Sequence, residues 1–114
     1  MTADLNLTVP LPDASWSSEE GLAAVKALIK TRLRDYLRVH QPDFVEEIHD
    51  NLSFDYIGLD SVARVELVAA LERHLGIALD PTAAYDFVTV GALASFVWSE
   101  LSGESLDLKA ALGV

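Results

Sequence analysis

The stretch Gly58-Leu59-Asp60-Ser61-Val62-Ala63-Arg64-Val65-Glu66-Leu67-Val68-Ala69-Ala70-Leu71-Glu72-Arg73-His74-Leu75-Gly76 reads as one helix with both of its ends written into it. Asp60 and Ser61 are residue types that cap a helix start, because a short side-chain oxygen accepts a first-turn N–H that has no partner inside the helix. Gly76 stands where a left-handed residue closes a helix, since glycine takes positive φ without a Cβ penalty. Leu67, Leu71 and Leu75 stack at i, i+4 and i+8 with Val68 beside them, a stripe suited to a core. Val62, Val65 and Ala69 form a second apolar strip roughly on the opposite side. Two readings follow: one face for folding and one for a partner, or a central helix surrounded by others.

Upstream, Ser17 followed by Glu20 is a capping-box pattern, and Leu22, Val25, Leu28, Ile29, Leu33, Tyr36 and Leu37 recur at helical spacing to about His40. Pro42 stops this first helix, and a long connection then runs to Asp60. It carries Phe44, Val45, Ile48, Leu52, Phe54, Tyr56, Ile57 and Leu59, too much apolar surface to stay in water, so it is expected to pack on the helices. Phe44, Val45 and Ile48 are spaced for a single helical turn. Residues 1–16, with Pro10 and Pro12 and no sustained period, read as a tail or linker in which Trp16 is placed to staple the first helix's start.

Downstream of Gly76, Asp80 as cap and Pro81 at a first helical position predict a brief third helix around Thr82–Tyr85. Thr89 caps a last helix whose Val90, Leu93, Ala94, Val97, Trp98 and Leu101 lie on one face and which ends near Ser102-Gly103. The remainder to Val114 reads as a frayed end.

A chain of 114 residues, half of them apolar (51%), predicts one domain with a real core. It has no cysteine, so helix packing must hold it together. Eighteen acidic residues against eight basic ones give a net charge of −10, which repels phosphate backbones and anionic lipid surfaces and attracts basic protein patches. Nucleic acid and membrane are excluded as partners on that ground, and no run of about 18 apolar residues or secretory leader pattern appears. A soluble cytoplasmic protein is expected.

Gly58-Leu59-Asp60-Ser61-Val62 resembles the G-x-D-S-(aliphatic) signature of acyl carrier domains. Val65-Glu66-Leu67 follows it as in many carriers, and Leu79-Asp80-Pro81-Thr82 with Tyr85-Asp86 and Thr89-Val90 is similar to the region between the third and fourth helices of polyketide synthase carriers. The resemblance implies an all-α fold, an antiparallel four-helix bundle of three main helices plus a short third one, over residues 17–102, with tails at 1–16 and 103–114. It implies that Ser61 bears a covalent 4′-phosphopantetheine arm, moved there from coenzyme A by a phosphopantetheinyl transferase, and that the arm carries acyl or polyketide intermediates as thioesters.

On residue type alone Ser61 reads first as a capping serine worth about 0.5–2 kcal/mol; the motif around it supplies the second role. A phosphodiester at a helix start meets unpaired N–H groups and the positive end of the dipole. Gly58 permits the sharp approach, Leu59 anchors the loop, and Asp60 caps the helix or helps hold the transferase complex and its metal ion. Val62, Val65 and Ala69, with Glu66 and Glu72, make the face offered to ketosynthase, acyltransferase and other synthase enzymes by a carrier expected to be monomeric. Arg64, Arg73 and His74 interrupt the negative surface of this helix, a departure from the most acidic carriers. Val88 stands where polyketide carriers often have proline, and the single glycine before Asp60 favours acyl over aminoacyl cargo, a peptidyl carrier being the alternative.

Two other classes of function fit single features of the sequence. A hydrolase would need a base near Ser61, but His74 lies thirteen positions along the same helix, about 20 Å away, and the G-x-S-x-G pattern is absent. His40 and His49 reach the serine only through the loop, and no metal-site spacing is present. A non-catalytic helical module that binds a basic protein is the third reading.

Overall fold

A computed structural model describes residues 16–103 of the chain. The expectations for the two ends, residues 1–15 and 104–114, lie outside the described residues. Helix α1 spans Ser18–His40, α2 Ser61–Leu75, α3 Ala83–Asp86 and α4 Val90–Ser102. The fold is all-α: the described residues contain no strand, only an isolated antiparallel bridge between Ser53 and Thr89.

Three of the four helices begin where their sequence signals stand. Ser17 closes a complete capping box on α1, its Oγ accepting from the Glu20 N–H at 3.2 Å while the Glu20 carboxylate accepts from the Ser17 N–H. Asp60 caps α2 and Thr89 caps α4 through side-chain oxygens that accept from Ala63 N–H and Ala92 N–H. The third start differs from expectation. Thr82 is the residue before α3 and makes no side-chain cap, because the Asp80 carboxylate is already taken up locally by the Thr82 N–H and hydroxyl at 2.9 and 2.8 Å. Pro81 therefore lies outside the helix.

The core is drawn from every element. Ile29, Leu33, Phe54, Ile57, Leu71 and Leu93 are fully enclosed, each contributing about 1.5–3 kcal/mol of burial. Trp16 is half-buried against this core rather than part of a free tail. The long connection packs as its composition demands, with Ile48, Leu52, Phe54, Ile57 and Leu59 buried. Val45 and Tyr56 are the exceptions, 89% and 61% exposed. Nor do Phe44, Val45 and Ile48 form a helical turn. Phe44 N–H closes a tight turn on Gln41 C=O across Pro42-Asp43, and only Phe44 and Ile48 of the three then turn inward.

The same connection is pinned at its middle. Lys26 and Lys30 of α1 hold the Asp50 carboxylate at 2.8 and 2.9 Å, while Gly91 N–H and Val90 N–H at the start of α4 donate to Asp50 and Leu52 carbonyls. These contacts set the α4 start beside the middle of α1, and Trp98 near the other end of α4 meets Gly21 near the start of α1. The two helices are thus antiparallel. At the far end of α1, the Gln41 side-chain amide donates to Ile57 C=O at 2.6 Å, just ahead of α2. Trp16 and Gly103 consequently sit at one pole of the bundle, and the start of α2 at the other.

Candidate functional site

The α2 start is shaped by the residues before it. Leu59 is buried and its N–H donates to Phe54 C=O, while Gly58 N–H donates to Asp55 C=O. Between these anchors Gly58 adopts φ +75°, a conformation that any Cβ would strain, so the glycine is what lets the loop fold back sharply into the helix. Asp60 is extended, and its Oδ1 accepts from Ala63 N–H at 2.9 Å. Asp60 is thus the cap, and Ser61, exposed, is the first residue of the helix proper.

The electrostatics of this end suit an anion. Arg64 N–H is the first to bond within the helix, to Asp60 C=O, and Ala63 N–H is satisfied by the Asp60 side chain. The N–H groups of Ser61 and Val62 have no partner inside the helix. The first turn of α2 holds no acidic residue, whereas that of α1 carries Glu19 and Glu20. The Asp60 carboxylate at the cap offsets part of the helix dipole, and the N–H groups of Ser61 and Val62 remain for a group brought from outside. An exposed hydroxyl there fits a phosphodiester-linked arm.

Around Ser61 the expected apolar strip is present. Val62 and Val65 are 66% and 40% exposed, Glu66 is exposed and Ala69 is half-buried. The opposite stripe, Leu67, Val68 and Leu71, is buried, which decides between the two readings of this helix in favour of one inner and one outer face. Tyr85 and Val88, 43% and 37% exposed, also present apolar surface, which the sequence reading did not assign.

Two charged residues of α2 differ from their expected places. Arg64 does not interrupt the surface; it is 7% exposed, with its guanidinium turned inward to Leu59 C=O, Ala84 C=O and the Asp55 carboxylate. Inside a protein a guanidinium is tolerated when its donors are matched, and here they are. Glu72 is half-buried, and its Oε2 accepts from Leu79 N–H at 2.7 Å, so that carboxylate is engaged in holding the α2–α3 connection rather than standing free for a partner. Nothing in their residue types signals either position.

Between α1 and α2 lies a groove of about 260 Å³ whose lining includes Leu33, Tyr36, Leu59, Ala63 and Leu67, with Arg32 alongside. Tyr36 stacks on His40 with ring centroids 4.3 Å apart. His74 stands on α2 with Ser61, thirteen residues further along. Among the described residues no group of three His, Cys, Asp or Glu side chains is arranged to hold a metal, and no helix is long and apolar enough to cross a membrane.

Comparison with known families agrees with this geometry. A model of the phosphopantetheine attachment site matches residues 27–97, more than half of the chain and centred on the α2 start. The chain belongs to the phosphopantetheine-attachment family. Its cofactor is accordingly phosphopantetheine, and the all-α fold is that of a carrier domain. The carrier is 34% identical to polyketide synthase ThaG of Burkholderia thailandensis over 96 residues, 84% of this chain and 2% of that protein. It is 34% identical over 64 residues, 56% of the chain, to mycoketide-CoA synthase of Mycobacterium tuberculosis, again 2% of that protein. Against polyketide synthase GfsA of Streptomyces halstedii it is 41% identical over 61 residues, 54% of the chain and 1% of the relative. The carrier thus spans a very small part of the length of these relatives.

Proposed function

We propose that Ser61 carries the phosphopantetheine arm and that the protein tethers acyl or polyketide intermediates as thioesters on it, presenting them to successive enzymes rather than catalysing a step itself. The observation that supports this most directly is the exposed Ser61 at the acid-free first turn of α2, inside the span that matches the family. A phosphopantetheinyl transferase supplies the arm: the serine oxygen takes it from coenzyme A, whose nucleotide half leaves, and the new phosphodiester rests near the unpaired N–H groups of Ser61 and Val62.

The names of the relatives support polyketide intermediates, and the single glycine ahead of Asp60 supports acyl rather than aminoacyl cargo. Val62, Val65, Glu66 and Ala69 form the docking face for ketosynthase, acyltransferase and transferase, where a small apolar patch with the Glu66 carboxylate beside it permits fast, weak and reversible encounters. A monomer acting in the cytoplasm fits this role.

Incubation with coenzyme A and a broad-specificity phosphopantetheinyl transferase tests the reading by intact mass. The expected result is one added arm on the wild type and none on Ser61→Ala. An unmodified wild type beside a reference carrier that loads, or a Ser61→Ala variant that still loads, overturns it.

A further inference from the structure

We infer that Arg64 is a positioning residue for arm attachment: a buried guanidinium that clasps the Asp55–Leu59 loop and α3 in place around Ser61. The inference rests on the reading of Ser61 given above.

Arg64 is the one charged or polar side chain that is fully buried among the described residues. Burying a permanent cation costs several kcal/mol unless its donors are matched, so its presence one helical turn from Ser61 calls for a reason. Its partners supply one, because they belong to different segments that border the serine. Nε donates to Leu59 C=O at 3.1 Å, two residues before Ser61. One terminal nitrogen donates to the Asp55 carboxylate in the turn that leads to Gly58, and the other to Ala84 C=O of α3 at 3.5 Å. The guanidinium carbon also stands 5.3 Å from the centre of the Tyr85 ring, a cation–π distance.

The loop is anchored from below by buried Ile57 and Leu59, and α3 by buried Ala83 and Ala84, but Arg64 is the side chain that joins the two segments to each other. Helix α3 has four residues and no side-chain cap, far below the length at which a helix supports itself. The Asp55 side chain is 77% exposed, and its carboxylate is drawn in by Arg64. On the helix surface residues three apart have Cβ atoms about 5–6 Å from each other, so the clasp reaches the loop and α3 from directly beside Ser61. A modifying enzyme that grips the loop, α2 and α3 together meets the hydroxyl in the right place only while these three are held in register. The planar fork of arginine reaches three acceptors at once, which a lysine ammonium does not.

The test measures transferase loading of Arg64→Leu, Arg64→Lys, Asp55→Asn and, as a control that removes the same charge from an exposed site of α2, Arg73→Leu. Thermal melting and the amide NMR signals of Asp60–Ala63 and Ala84 are read alongside. The expected result is a loss in kcat/KM of about tenfold or more for Arg64→Leu, carried by KM for the carrier, with partial recovery in Arg64→Lys and no change in Arg73→Leu. The Ser61-region and Ala84 signals shift together in Arg64→Leu. Asp55→Asn, altered only at an exposed carboxylate, shows a smaller loss of the same kind and keeps the question open to refutation if Arg64→Leu does not fold. Wild-type loading with a folded Arg64→Leu or, failing that, an Asp55→Asn that loads and resonates like wild type overturns the inference. A wild type that does not load at all instead overturns the assignment of Ser61.

Discussion

The six-membered ring of Trp98 lies directly on Gly21, so close that a Cβ built on the glycine would overlap ring carbon Cη2. This contact is where α1 and α4 approach, and it inverts the usual preference of a helix interior for alanine. Gly21→Ala gains about 1 kcal/mol of helix propensity, but the overpacking against a 4% exposed indole costs about 1–3 kcal/mol. Net destabilisation is expected in a urea melt, and it should shrink when Trp98→Leu is combined with it, since the two changes share one contact. A Gly21→Ala protein more stable than wild type would contradict the packing.

Asp60→Ala removes the only side-chain cap of α2, the 2.9 Å bond to Ala63 N–H. A loss of about 1 kcal/mol is expected, with Asp60→Asn recovering most of it because an amide oxygen caps nearly as well. Chemical denaturation of the three proteins checks this, and equal stability of all three would show that the cap contributes nothing.

Glu72 accepts the Leu79 N–H at 2.7 Å, tying the end of α2 to the segment that leads to α3. Glu72→Ala leaves that donor without its charged partner, a cost of about 1.5–3 kcal/mol, and Glu72→Gln keeps part of the bond. Hydrogen exchange at the Leu79 amide is the sensitive measure. Slow exchange in wild type and fast exchange in Glu72→Ala is the expected pair, and unchanged protection would show the bond to be idle.

Asp50 is held below the ordinary carboxylate value of 3.8 by hydrogen bonds from Lys26 and then Lys30, burial opposing them. The unfolded chain therefore takes up this proton first as pH falls. The stabilisation is fully present above about pH 4 and fades as pH drops through the folded value. With the carboxylate side chain 43% exposed, solvent screening keeps the contribution to about 1 kcal/mol or less. The expected result is an Asp50→Asn protein less stable at neutral pH, the gap closing in acid; a gap independent of pH would place the effect elsewhere.

The parts of this fold that could be read ahead of the structure are those specified within one helical turn. Ser17 with Glu20, Asp60, Gly76 and Thr89 each mark a boundary through bonds to neighbours three or four residues away, and each stands where expected. The motif around Ser61 and the exposed strip beside it were legible for the same reason. What failed depended on partners distant in sequence or on competition between local bonds. Phe44, Val45 and Ile48 have the spacing of a helical turn, but Gln41 C=O captures the Phe44 N–H in a tighter one. Asp80 was a plausible cap until the Thr82 hydroxyl engaged it first. Arg64 carries no local mark of burial; it goes inward because Ala84 C=O, twenty residues on, and Asp55 are waiting for its donors.

The antiparallel pairing of α1 with α4 fixes more than stability. Trp16 and Gly103 are drawn to the pole opposite Ser61, separated from it by most of the 23-residue α1, itself about 34 Å long. The helix pair thus keeps the serine well clear of anything held at the opposite pole.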